Sequence, residues 1–240
     1  IKGIINVELF GSTNNLAKLK RISKKYNLSL IGDCSQSLGT LFKGQSSIDY
    51  YDYSVVSFYP TKILSAYGDA GMIFVKKNLI NKAKLLKNNG HTVKNKNDCH
   101  ILGINSRMDS FQAYILNNKL KKIDKILKTK KKYANILKKF LPTKFSMPNI
   151  DSDVNSNEYI LSFYIDIKKK KNFITYMEKN KIICRTIYEK LLNENYVLKP
   201  IVRINLPNAQ MCTKNLISIP SHEKLNLNEF MFIIKKIRDF

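Results

Sequence analysis

Three short stretches carry side chains whose types and spacing could do chemistry. In Ser57-Phe58-Tyr59-Pro60-Thr61-Lys62 a lysine stands just past strand-like sequence and a proline turn. An amine held there and partly withdrawn from water loses basicity and becomes a nucleophile, while Ser57 offers a hydroxyl to a phosphate. Against that, a lysine in so lysine-rich a chain is ordinarily just solvated. In Asp33-Cys34-Ser35-Gln36 a carboxylate ends an apolar run. It could hold a protonated ring nitrogen, with the Gln36 amide meeting the same ring; Asp followed three residues later by Gln is equally a helix capping box. The third stretch, Gly103-Ile104-Asn105-Ser106-Arg107-Met108-Asp109, opens a helix-periodic run. Free N–H groups at a helix start bind anions, and Arg107 supplies a bidentate fork for phosphate. Asn105 or Ser106 would serve as well as a plain cap.

The elements that must position these residues follow from periodicity. Ile4 to Phe10 reads as a buried strand closed by Gly11; Leu16, Leu19, Ile22 and Tyr26 recur at helical spacing; Leu28 to Ile31 is a second apolar run ending at Gly32-Asp33. Strand, helix and strand in that order make a βαβ unit and a parallel sheet, whose chemistry gathers at the carboxyl ends of strands, where Asp33 lies. Further strands are expected at Tyr53–Phe58 and Met72–Val75, with a helix from Leu79 to Leu86 and a polar loop from Lys87 to Asp98. From Met108 an apolar stripe runs to Leu141, one long helix or two in succession. Strands at Tyr159–Ile167, Ile182–Ile187 and Ile217–Pro220 and helices at Asn172–Asn180 and Leu227–Phe240 form a second α/β unit. The expected division is 1–127 and 128–240.

Composition narrows the function classes. Apolar residues are 44% and charged residues 25% of the 240, the balance of a globular protein rather than a disordered one. No apolar run is long enough to span a bilayer, no secretory signal is visible, and the scattered Cys34, Cys99, Cys184 and Cys212 read as reduced thiols. The expectation is a cytoplasmic protein. A net charge of +24 invites a nucleic-acid or other anion-binding reading. The lysines are spread over nearly every segment, however, and their runs lack interleaved aromatic platforms. His91, His100 and His222 suggest neither a metal site nor a catalytic triad, and Gly68-Asp69-Ala70-Gly71 lacks the context of a dinucleotide fingerprint.

Taken in order, the three stretches resemble the DegT/StrS-type sugar aminotransferases, pyridoxal-phosphate enzymes of the aspartate-aminotransferase fold (fold type I). The matching segments are Leu30–Gly39, Ser57–Lys62, Ala66–Gly71 and Gly103–Gln112, with weaker likeness at Leu206–Ala209 and Ile217–His222. The resemblance implies part of the mostly parallel sheet of the large cofactor-binding domain in 1–127 and a smaller C-terminal α/β domain in 128–240. It implies that Lys62 forms the Schiff base with pyridoxal 5'-phosphate and shuttles the proton. Asp33 would pair with the pyridinium nitrogen, Gln36 would contact the ring and Ser57 would bind the phosphate. Asn105 would reach the phosphate of a partner subunit's cofactor in a homodimer, and Tyr188 and Arg107 would contact substrate. The implied reaction moves an amino group, usually from glutamate, to a keto group of a nucleotide-linked sugar, with a lean toward the third carbon, for surface polysaccharide or aminosugar synthesis. The family's dehydratase branch carries His where this chain has Lys62. No nucleic acid, membrane or metal is implied.

The chain also departs from the family. Gly32 stands where an acid is common, Ala70 where Gly is common, Asn89 where His is common, and Asn6 and Glu8 replace a frequent Pro and His. The family is longer at its N-terminus, where a phosphate-gripping helix start and a ring-stacking aromatic lie. These 240 residues are therefore expected to bind the cofactor poorly by themselves. A catalytically incompetent fragment and a basic anion-binding module are the alternatives.

Overall fold

A computed structural model describes residues 1–92, 94, 97–198 and 204–240. The polar loop expected at Lys87–Asp98 lies partly outside them. The chain divides into two compact units, Ile1–Leu127 with Asp151–Tyr159, and Lys128–Ile150 with Ile160–Phe240.

The first unit is built on a four-stranded sheet of β1 (Gly3–Val7), β2 (Ser29–Asp33), β5 (Tyr53–Ser57) and β6 (Gly71–Val75), in that order across the sheet. β1, β2 and β5 run parallel, and β6 returns antiparallel beside β5. The crossover from β1 to β2 is α1 (Leu16–Lys25). Asn15 caps its start by accepting from the Lys18 N–H at 3.1 Å, and Lys24 and Lys25 complement the dipole at its end. Gly32 has a steric reason: a Cβ there would lie 2.5 Å from the Tyr51 ring. A small antiparallel sheet joins β3 (Leu41–Phe42), β4 (Gln45–Ser46) and β7 (Val154–Asn155). That pairing ties Asp151–Tyr159 to the first unit. α2 (Ile80–Leu86) and α3 (Ser110–Leu120) complete it, with Leu116 of α3 buried against Cys34, Val56, Phe58 and Leu64.

Successive residues of a strand face opposite sides, and the two faces of this sheet differ. Leu30, Ser54 and Val56 are buried. On the other face the cross-strand row Val7–Asp33–Val55–Ile73 and the neighbouring Ile5 and Tyr53 bring aliphatic and aromatic side chains to the surface, Ile5 being 68% and Ile73 52% exposed.

α4 (Ile123–Phe140) begins in the first unit and continues into the second. The second unit otherwise comprises β8 (Leu161–Tyr164), α5 (Ile167–Lys179), α6 (Pro207–Asn215), β9 (Leu216–Ile219) and α7 (Leu227–Asp239). β8 and β9 pair antiparallel. Caps fix the helix starts: Asp166 accepts from the Lys168 N–H, and Asn226 with Glu229 forms a reciprocal capping box. The core is aromatic. Phe163 meets Phe173 edge-on at 5.7 Å, Phe173 meets Phe240 at 5.0 Å, and Tyr133 stacks on Phe230 at 4.2 Å.

Two expectations from periodicity are corrected. Ile182–Ile187 is not a strand; it makes one bridge, Arg185 to Ser218, because only Ile182 and Cys184 of its apolar residues turn inward. Of the two readings of the apolar stripe from Met108 the structure has two helices in succession, but the first starts at Ser110 with Asp109, not Asn105 or Ser106, as its N-cap.

Candidate active site

The site grows from the ends of β2 and β5. β5 finishes at Ser57, whose Oγ accepts from the Tyr59 N–H at 3.2 Å. The chain then turns, with Lys62 N–H donating to the Tyr59 carbonyl at 2.8 Å and Pro60 at the second position, where its fixed φ suits the turn. The turn is anchored by buried Phe58, Leu64 and Ala66; the Phe58 N–H donates to the Ala70 carbonyl and the Ala66 N–H to that of Phe58. Lys62 is thus delivered by short-range geometry. Its side chain is half-buried, and burial lowers its basicity below that of an ordinary lysine, while the charge of Asp33 acts in the opposite sense.

Asp33 ends β2 directly opposite Val55, and Val55 is opposite Ile73. The Asp33 carboxylate accepts from the Ser35 N–H at 3.1 Å, an Asx turn. No helix follows, so the capping-box alternative falls away. Gln36 turns its amide oxygen to the Phe10 N–H, 2.7 Å away, fastening this turn to the end of β1.

A cleft of about 1030 Å³ opens beside the Tyr59–Lys62 turn. Ser57, Lys62 and Arg107 line it, with Val55 and Ile73 from the Asp33 row and Asp69 and Lys87 from its rim. Asp33, Gln36 and Asn105 are not among its lining residues. Asn105 is exposed and accepts from Arg107 Nε at 2.8 Å. Because α3 starts at Ser110 with Asp109 as its N-cap, Arg107 lines the cleft from the irregular segment before the helix and not from a helix start. Tyr188 belongs to the second unit and is exposed there.

Two groups escaped the sequence reading. Tyr159 lies with its ring centroid 5.3 Å from Lys62 Nζ. Behind β2, fully buried Glu8 accepts from the Tyr51 hydroxyl at 2.7 Å and from Ser47 Oγ at 2.8 Å, and the Asn6 amide donates to the Tyr51 hydroxyl at 2.6 Å. Burial, with the Glu8 charge added, pushes the Cys34 thiol and the Tyr51 phenol far above their usual ranges, so Cys34 is an inert thiol beside Asp33. The departures at Asn6, Glu8 and Gly32 are therefore one packed cluster around Tyr51. No local motif announces it, since its members come from three separate segments.

An α/β unit with a lysine past a strand-end proline turn and an acid in the adjoining row defines a class of protein. Residues 1–238 match the DegT/DnrJ/EryC1/StrS aminotransferase family, and the chain belongs to it. The "Pleiotropic regulatory protein" of Geobacillus stearothermophilus is 27% identical over all of this chain and 65% of its own length. The "UDP-4-amino-4,6-dideoxy-N-acetyl-beta-L-altrosamine transaminase" of Campylobacter jejuni is 28% identical over 97% of this chain and 64% of its own length. A DegT DnrJ EryC1 StrS aminotransferase structure from Brucella abortus superposes with a TM-score of 0.93 at 25% identity, covering 100% of this chain and 64% of that one. The fold is that of fold-type I aminotransferases, and the chain spans about two-thirds (64–65%) of the length of these relatives.

Proposed function

We propose that this chain belongs to a pyridoxal-phosphate-dependent aminotransferase that transfers an amino group, with glutamate as donor, to a keto group of a nucleotide-linked sugar. The Asn105–Asp109 sequence leans slightly toward the sugar's third carbon, and surface polysaccharide or aminosugar synthesis is the setting. The observation that carries it is Lys62: a cleft-lining amine just past β5, its basicity lowered by burial and raised in part by the charge of Asp33, which ends the neighbouring strand β2.

The residues present fit the cofactor. The cleft volume is at the upper end for small-molecule sites. Lys62 would anchor the aldehyde, Asp33 would hold the ring nitrogen protonated, and Ser57 and Arg107, which line the cleft, would donate to the phosphate or to a substrate anion. Bound there, pyridoxal phosphate would supply an electron sink for the carbanion left when the amino donor loses its α-proton. The chain's own part is positional and acid–base. Lys62 Nζ takes and returns that proton, and its lowered pKa leaves more of it free to do so near neutrality. The Asp33 carboxylate is fixed by the Ser35 N–H. Gln36 holds the turn through Phe10.

The proposal includes a homodimer, supported by the exposure of Asn105, the residue expected to serve a partner subunit's cofactor. It also includes a cytoplasmic location: none of the four cysteines is in a disulfide, and among the described residues no helix is long and apolar enough to cross a membrane. Incubation with pyridoxal phosphate, borohydride reduction and peptide mass spectrometry test the core of the reading. A label on Lys62, lost in Lys62→Ala, is the expected result. Labelling spread over surface lysines with none on Lys62 would refute it.

A further inference from the structure

Nearly a hundred residues after Lys62 the chain returns to it. The returning arm is Ser156–Tyr159, three of whose four residues are buried although all are polar or carry polar atoms. Asn157 is spent entirely on fastening. Its side-chain amide donates to the Gln36 carbonyl at 3.0 Å and to the Leu38 carbonyl at 2.9 Å, and its own N–H donates to the Gly11 carbonyl. Its Oδ1 accepts from the Tyr159 N–H at 2.9 Å, which sets the direction of that residue. The Tyr159 ring then lies 5.3 Å from Lys62 Nζ, and the Tyr159 hydroxyl lies 3.3 Å from Thr61 Oγ1. One end of the arm therefore grips the turn after Asp33, and the other grips the turn that bears Lys62.

We infer that Tyr159 is a positioning residue for Lys62: its ring holds the ammonium in the cleft, and its hydroxyl steadies the Tyr59–Lys62 turn through Thr61. The inference rests on Lys62 being the reactive amine of the proposed function. A cation over an aromatic face is attracted by the ring quadrupole, more strongly as water is withdrawn. The ring thus opposes the desolvation that lowers Lys62, in the same sense as the Asp33 charge. The other charged groups of the cleft are Asp69, Lys87 and Arg107. Because Asn157 spans to the Asp33 turn, the arm also sets the spacing between acid and amine.

Competitive acetylation of the 240-residue chain across pH, without cofactor, reads the amine directly, with the rate at Lys62 taken from peptide mass spectrometry. Tyr159→Leu is expected to label Lys62 about two- to fivefold faster at neutral pH, with a lower pH midpoint. Tyr159→Phe, which keeps the ring, should stay at the native midpoint, and Tyr159→Trp should label more slowly than native. A native rate and midpoint in Tyr159→Leu, or identical behaviour of the Leu and Phe variants, would overturn the inference. If circular dichroism shows the Leu variant unfolded, Tyr159→Trp decides, and a rate equal to or above native overturns it. Pyridoxal-phosphate trapping on the same proteins is scored separately. Tyr159-dependent acetylation without trapping sinks the cofactor reading and leaves the positioning role standing.

Discussion

The two units solve the problem of burying apolar surface differently. In the second, Phe163, Phe173 and Phe230 are fully buried, and strands and helices close on one aromatic core. In the first, one sheet face packs Val56 against Leu116 of α3 but leaves Met72 and Phe74 of β6 exposed, and the other leaves Ile5, Val7, Val55 and Ile73 at the surface around Asp33. The polar investment is also uneven. The first unit buries a carboxylate, Glu8, held by hydroxyl donors, which is costly unless every lone pair is used. The second buries lysines, but as tethers: Lys130 Nζ donates to the Ser221 carbonyl and hydroxyl, and Lys170 Nζ to the Lys214 carbonyl. The difference teaches that the closed aromatic core lies in the second unit, while the first carries the proposed site beside an open sheet face.

Substitutions can break or sharpen that contrast. Phe173→Ala, at a fully buried position contacting three other rings, should cost about 3–5 kcal/mol in denaturant unfolding. Ile73→Ala, at a half-exposed position, should cost less than about 0.5 kcal/mol. Equal losses at the two sites would mean that the open face is covered in solution and that the contrast is false.

Gly11→Ala falls between them. Gly11 has a φ of 86°, and a Cβ there would meet Asn157 Oδ1 at 1.9 Å. Overpacking of this kind costs about 1–3 kcal/mol. The prediction is a loss in that range accompanied by changed acetylation of Lys62, because Asn157 orients Tyr159. A destabilised chain with a native Lys62 rate would separate the arm from the site.

Asp33→Asn gives the smallest shift. The Asp33 charge raises the Lys62 pKa against the larger lowering by burial, so removing it should lower the acetylation midpoint further. An upward shift would place Asp33 out of electrostatic reach. The same pKa carries a sign for stability. The folded value lies below the unfolded one, so the unfolded chain binds more protons between them. The penalty from Lys62 is complete below its folded pKa and fades as pH rises toward the ordinary lysine value.

Much of this was legible before any coordinates. The βαβ start, the strand-end placement of Asp33, the proline turn before Lys62 and the amphipathic helices all rest on interactions spanning a few residues. Periodicity, caps and turn chemistry encode such interactions directly. Ile182–Ile187 misled because an apolar run carries strand character whether or not a partner strand lies beside it. Asn105–Asp109 misled because the signal for a helix start is good only to a few residues.

What the sequence by itself determined is the βαβ start, the family, and which lysine and which acid to propose for the site. Only the tertiary structure decided that Asn157 and Tyr159 come back to brace them, that Glu8, Asn6, Gly32 and Tyr51 are one cluster, and that Asp33 shares its sheet face with exposed aliphatics. Those facts depend on strand register and on contacts between distant segments. Such contacts are selected by the energy of the whole packed unit, and no window of neighbouring residues records them.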